Sequence, residues 1–246
     1  MSTYTALRVS ETDDRVVVTL HRPAQRNAIN SAMVAELHAV CTLVEHRPRL
    51  LIVTGAGTDF AAGADITELR ARGRNEALDG INRGVFDRIA GLPMPTIAAV
   101  EGNALGGGAE LAYACDLRIA GADARFGNPE PGLGILAAAG ASYRLTDLVG
   151  KSIAKQVILG GRILDADAAH GCGLVADVVH SGAALEAACA LADRIARLSP
   201  LAVRLSKAVI DATSAHPLLD DVAQAVLFES PDKTERMTRF LQKRSS

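Results

Sequence analysis

The rhythm of apolar and polar positions changes along this chain, and each change marks an element. "RVVVTLHRP" (15–23) is a β-branched run closed by Pro23, which predicts a strand. Ser31 is placed to cap a helix through about His46, with Met33, Leu37, Val40 and Val44 along one face. "LLIVTGAG" (50–57) and "TIAAVEG" (96–102) are short, continuously apolar runs of the kind found in strands buried on both faces. Between them "DITELRARG" (65–73) predicts a helix, with Asp65 as cap and Glu68 closing a capping box. "DLRIAG" (116–121) and "LVADVVH" (174–180) are further strands, and this alternation indicates an α/β protein.

From about Ala183 the period becomes helical throughout. "ALEAACALADRIARL", "PLAVRLSKAVIDAT", "LLDDVAQAVLFES" and "KTERMTRFLQKR" follow one another, punctuated by Pro200, Pro217 and Pro231. The expected division is therefore an α/β core over 1–182 and a helical part over 183–246. No clean sequence repeat or low-complexity segment is visible.

Composition then removes several function classes. Apolar residues make up 49% and charged residues 22%, an ordinary globular balance. Aromatics are 3%, Trp is absent and the formal charge is −2, so neither base stacking nor a basic field favours nucleic acid. Cys41, Cys115, Cys172 and Cys189 form no C-x-x-C pair and share no ligand spacing with the histidines. They are expected to be free thiols of a cytoplasmic protein with no metal site. The N-terminal stretch has no apolar signal region and no run reaches membrane-spanning length.

The chemistry centres on "EGNALGGGAEL" (101–111). A helix beginning near Gly107 presents free N–H groups and the positive end of its dipole, and glycine lets a ligand oxygen approach. Glu110 follows three residues later on nearly the same face, within an otherwise apolar helix. Such a helix is expected to be buried, where a carboxylate is costly unless function keeps it. "DFAAGADI" (59–66) supplies a second turn before a helix, with the Ala64 N–H just ahead of Asp65. "FGNPEPGLGI" (126–135) fixes Glu130 between two prolines. Taken singly, each has a plainer reading: close helix–strand packing, an ordinary loop, or a surface glutamate.

Together, with "HRPAQRNAIN", "AAVEGNALGGGAELAYACD" and the "RFLQKR" tail, these segments resemble the crotonase, or enoyl-CoA hydratase/isomerase, superfamily over nearly the whole chain. The chain looks most like the hydratases, because both glutamates are present. The resemblance implies a spiral of ββα turns with a C-terminal helical region used in trimerisation, giving a homotrimer or homohexamer. It implies an acyl-CoA thioester substrate, no cofactor beyond the CoA of that substrate, and no nucleic-acid or membrane partner. Ala64 and Gly107 would bind the thioester oxygen, Glu110 would activate water and Glu130 would exchange the α-proton. Arg26, Ala62, Asp65, Ile66, Phe240 and Lys243 would contact CoA, the last two from a neighbouring subunit.

One region departs from the hydratase pattern: "GILAAAGASYRL" has Ala137, Ala138 and Ala141 where Pro or Gly is common. The added methyls are expected to narrow the acyl site or displace ordered water. The alternatives are another crotonase-fold reaction (isomerase, dehydratase, thioesterase) or a non-catalytic acyl-CoA-binding protein. A dinucleotide fingerprint in "LLIVTGAGTDF" fails at Phe60, and no serine has the G-x-S-x-G setting of a hydrolase nucleophile.

Overall fold

The computed structural model describes residues 4–212 and 217–244, excluding the side chains of Phe240, Lys243 and Arg244. A hairpin of β1 (Leu7–Glu11) and β2 (Arg15–Leu20) leads to α1 (Ser31–His46) and β3 (Leu50–Gly55). Three helices follow: α2 (Ile66–Ala71), α3 (Arg74–Asp79) and α4 (Ile81–Ala90). Next come β4 (Thr96–Val100), β5 (Asn103–Leu105), α5 (Gly107–Ala114), β6 (Leu117–Gly121) and β7 (Arg125–Gly127). Then α6 (Thr146–Ile158), β8 (Leu164–Asp165), α7 (Ala166–Gly171) and β9 (Asp177–Val179) complete the mixed part. The chain finishes with α8 (Ala184–Ala196), α9 (Pro200–Asp211), α10 (Leu218–Phe228) and α11 (Pro231–Arg244).

The larger sheet has six strands in the order β1-β2-β3-β4-β6-β9, parallel except for the β1–β2 hairpin. The smaller has the order β5-β7-β8. Successive segments alternate between the two: β4 then β5, β6 then β7, each pair followed by a helix. These are the expected ββα turns, and they repeat in structure without repeating in sequence.

Alternation along the strands sends side chains to two cores. Val16, Val18, Leu51, Val53, Ala98 and Val100 share a buried cluster with α1, α4 and α5. Leu50, Ile52, Ile97, Ala99 and Ile119 point the other way, onto Ala184, Ala188 and Ala192 of α8. Those alanines recur every four residues, one stripe of the helix, so α8 lies directly on the sheet. Beyond it, Lys207 of α9 pairs with Asp116 at the start of β6.

Two local expectations are corrected. Asn30, not Ser31, caps α1: its side chain accepts from Met33 N at 3.0 Å. Both residue types cap well, but the Ser31 N–H and hydroxyl are taken by Glu68 at 2.8 and 2.6 Å. That same contact leaves the capping box half made. Asp65 does cap α2 through Thr67 N, while its own N–H donates to Ile29 O instead of Glu68. The sequence pattern also passed over α3 and α4.

Candidate active site

Three turns of the spiral deliver the predicted residues side by side. Ala61 bridges Ala104, and Leu105 N donates to Ala61 O at 3.0 Å. One strand further, Leu105 stands opposite Gly127, and Gly106 N donates to Gly127 O at 2.8 Å. The segments leaving these three positions carry Ala62–Ala64, Gly107 and Glu130. Residues far apart in sequence are thereby held at one level of the fold by main-chain hydrogen bonds.

The three glycines have different tasks. Gly106 adopts φ +50°, a conformation that suits glycine. A side chain on Gly108 would collide with the Ala61 carbonyl, so this glycine does serve close packing. A Cβ on Gly107 would sit 3.3 Å from Ala64 N. The absence of that carbon leaves open the space between two main-chain N–H groups. Neither the Ala64 nor the Gly107 N–H donates to a partner among the described residues. Gly107 also begins α5, whose positive dipole end adds to the pull on an oxyanion.

All eight residues of α5 are buried, as its apolar composition predicts. Its far end is held by Arg118, which is 5% exposed and, among the described residues, bonds only main-chain carbonyls. The guanidinium donates to the carbonyls of Ala112 (3.2 Å), Cys115 (2.6 Å), Asp116 (3.2 Å) and Leu174 (2.6 Å). A cation at the C-terminal end of a helix answers the dipole and the orphan carbonyls together.

Glu110 is 3% exposed and Glu130 7%, which excludes the surface reading of the latter. Glu110 Oε1 accepts from Ala139 N at 2.8 Å and Ala141 N at 3.1 Å. Burial nevertheless pushes its carboxyl up to about 7, with the Glu130 charge adding to the rise and the two N–H donors opposing it. Glu130 begins a 3-10 turn, Glu130–Leu133, between Pro129 and Pro131. Its Oε1 lies against Gly106, 3.0 Å from where a Cβ there would be, and its Oε2 is buried without a hydrogen-bond partner. Burial raises this carboxyl too, while the nearby Asn128 amide pulls it back.

Both carboxylates open onto one cavity of about 620 Å³, within the range of ligand sites. Ala62, Ala64, Ile66 and Gly107 line it with them. Asp65 turns away: its carboxylate caps α2 and pairs with Arg22 at 3.0 Å. Arg26 has its guanidinium on Asp59 at 2.9 Å, which also draws that carboxyl down. Phe240 and Lys243 fall on α11, but their side chains lie outside the described residues.

The alanine segment meets the cavity with only some of its methyls. Ala137 and Ala141 are fully buried in the main core, and only Ala138 and Ala139 line the cavity. The segment's main contribution is two backbone N–H groups for Glu110. It is anchored from outside: Tyr143 and Arg144 bind Asp87 of α4 at 2.9 and 2.6 Å, and Arg144 also reaches the Ala139 carbonyl at 3.3 Å. Sequence reasoning missed these donors because main-chain groups carry no residue signature. It also missed Asn82, whose signal was available. Asn82 heads the buried stripe Asn82, Val85, Phe86, Ile89 of α4, a polar residue at a core position.

Among the described residues, no three His, Cys, Asp or Glu side chains gather to hold a metal. No helix there is long and apolar enough to cross a membrane.

Comparison with known proteins agrees with this geometry. Residues 12–246 match the family described as enoyl-CoA hydratase/isomerase. The chain is 39% identical to the 2,3-dehydroadipyl-CoA hydratase of Escherichia coli K12, covering 97% of this chain and 96% of that one. It is 41% identical to the short-chain-enoyl-CoA hydratase of Clostridium acetobutylicum, over 93% and 91% respectively. The crystal structure of an enoyl-CoA hydratase from Bacillus anthracis superposes with a TM-score of 0.92 at 34% identity, covering 97% of both chains.

Proposed function

Because the chain belongs to the enoyl-CoA hydratase/isomerase family, we propose that it is a hydro-lyase that adds water to a 2-enoyl-CoA thioester, giving the 3-hydroxyacyl-CoA. The observation that carries this reading is the pairing of two buried carboxylates with two free main-chain N–H groups around one cavity. In the forward step, water oxygen forms a bond to C3. The C2–C3 π pair moves toward the thioester, and the carbonyl oxygen takes up enolate charge between the Ala64 and Gly107 N–H groups. Fixed donors of this kind are each worth about 2.7–4 kcal/mol in the transition state.

Glu110, aimed by the Ala139 and Ala141 N–H groups, takes the proton of the attacking water. Glu130, whose Oε2 is buried without a partner among the described residues, delivers the proton to C2. The two titrate as a pair. The thioester supplies the activation, so this chemistry needs no metal or redox group. The CoA portion leaves past Ala62 and Ile66, with Arg26 at its border and Phe240 and Lys243 supplied by a neighbouring subunit of a trimer or hexamer in the cytoplasm. Supporting that assembly, Leu218, Val222, Val226 and Met237 on α10 and α11 are each at least half exposed, at 68, 54, 50 and 52%.

The direct test follows loss of enoyl-thioester absorbance with crotonyl-CoA, where turnover on the order of 10 s⁻¹ is ordinary for an enzyme. Binding of crotonyl-CoA without turnover would overturn the hydratase reading.

A further inference from the structure

We propose that Asn82 is a third hydrogen-bond donor to the thioester oxygen, held in its donating orientation by Arg72. The inference rests on the thioester occupant proposed above, and goes beyond the two main-chain donors.

Asn82 is 8% exposed, and it lines the catalytic cavity from the α4 side. An amide side chain has one accepting and one donating end, and the hydrogen-bond network decides which way it points. Here the choice is forced. Arg72 Nη1 donates to Asn82 Oδ1 at 3.2 Å, and a guanidinium has no acceptor, so the oxygen must face Arg72. The Nδ2 group therefore faces the other way, into the cavity. It donates to no group among the described residues.

Where Nδ2 points is the decisive observation. The site of a Cβ on Gly107, the space kept open for an oxygen, is 3.3 Å from Ala64 N and 3.6 Å from Asn82 Nδ2. The amide thus borders the same small volume as the main-chain N–H pair. The NH₂ therefore presents unused donors to the cavity from the head of an otherwise apolar stripe, ready for whatever occupies that volume. An oxygen acquiring negative charge fits, and a neutral amide stabilises it without adding a charge to a site that already holds two carboxylates. Arg72 is itself 16% exposed at its side chain and lies 3.7 Å from Glu68, so the orienting group is also fixed.

The experiment compares wild type with Asn82→Ala and the near-isosteric Asn82→Asp. Each is first checked for fold by circular dichroism. Two readouts are taken: kcat and KM with crotonyl-CoA, and the red shift of 4-(dimethylamino)cinnamoyl-CoA on binding, which reports polarisation of the thioester carbonyl. Both variants are expected to lose on the order of 10²-fold in kcat with KM little changed, and to show a smaller red shift. The Asp variant removes the donor and keeps the shape but adds a carboxylate, so the neutral Asn82→Ala measures lost donation and Asn82→Asp, paired to Arg72, shows whether the fold tolerates the change. A wild-type kcat with a wild-type red shift in Asn82→Asp overturns the proposal. A wild-type protein that polarises the probe, losing that shift in the variants, yet never hydrates crotonyl-CoA would sink the hydratase reading and leave the donor standing.

Discussion

Replacing Glu110 by glutamine is expected to stabilise the protein while nearly abolishing its activity. Burial holds this carboxyl at about 7 in the folded state, against 4.5 for a free glutamate. Between those values the folded chain keeps a proton that the unfolded chain releases. Stability therefore falls as pH rises from about 4.5 and levels off above about 7. At roughly 1.4 kcal/mol per tenfold change, ionising Glu110 costs the fold about 3 kcal/mol at pH 8. Glutamine keeps an acceptor for the Ala139 and Ala141 N–H groups and carries no charge to bury. At pH 8 the variant should gain up to about 3 kcal/mol, or roughly 6–12 °C in Tm for a domain of this size. At pH 5 the gain should shrink to less than about 1 kcal/mol. Losing the general base should meanwhile lower kcat by about 10²–10⁴-fold. Thermal melts of both proteins at pH 5 and pH 8, with crotonyl-CoA turnover alongside, decide the matter. A difference in Tm that ignores pH, or a variant less stable at pH 8, would refute the burial argument.

Other outcomes follow from the same geometry. Glu130→Gln should lose about 10²–10⁴-fold in kcat while calorimetry still detects acyl-CoA binding; near wild-type turnover would remove Glu130 from the chemistry. Gly107→Ala keeps the N–H but puts a methyl 3.3 Å from Ala64 N, so kcat should fall by on the order of 10²-fold or more in a folded protein, and normal turnover would move the oxyanion elsewhere. Because the working form of Glu110 is the carboxylate and its carboxyl is held at about 7, kcat/KM should rise with pH as Glu110 ionises and fall again as the pair loses the proton that Glu130 delivers, whereas a profile flat from pH 5 to 8 would contradict its role as base. Deleting the segment from Pro231 onward should weaken both assembly by light scattering and acyl-CoA affinity; a monomer that binds equally well with and without it would exclude a contribution from a neighbouring subunit.

The sequence was most informative where function forced an odd residue into a regular pattern. Glu110 inside an apolar helix violates what packing alone would select, and the structure brings it together with Gly107, Ala64 and Glu130. Cap choice was less legible: Asn30 and Ser31 are equally good candidates until Glu68, from another element, claims Ser31. The Ala137–Ala141 segment was legible only in its side chains: Ala138 lines the cavity, but the amides that hold Glu110 depend on the course of the loop and carry no residue signature. Asn82 was legible in principle, as a polar residue in a buried stripe, but only once α4 itself had been recognised. The ββα repetition left no sequence trace, because its turns are held by main-chain pairing that many sequences satisfy.

The burial of α5 has a consequence for how the cavity breathes. This wall is a helix with every residue buried, pinned at its far end by Arg118. The facing wall is made of α2 and α3, which bury no residue at all. Opening free energy follows local burial, so the two walls belong to different cooperative units. Amide hydrogens of 110–114, the first of them bonded to the Gly106 carbonyl, should exchange only when the whole domain unfolds, while those of 66–79 exchange through small local openings. Gly107 and Glu110 thus ride on the part of the molecule that is last to move. The wall across from them is expected to open and reclose many times within the lifetime of the folded state, admitting and releasing acyl chains while Gly107 and Glu110 stay in place.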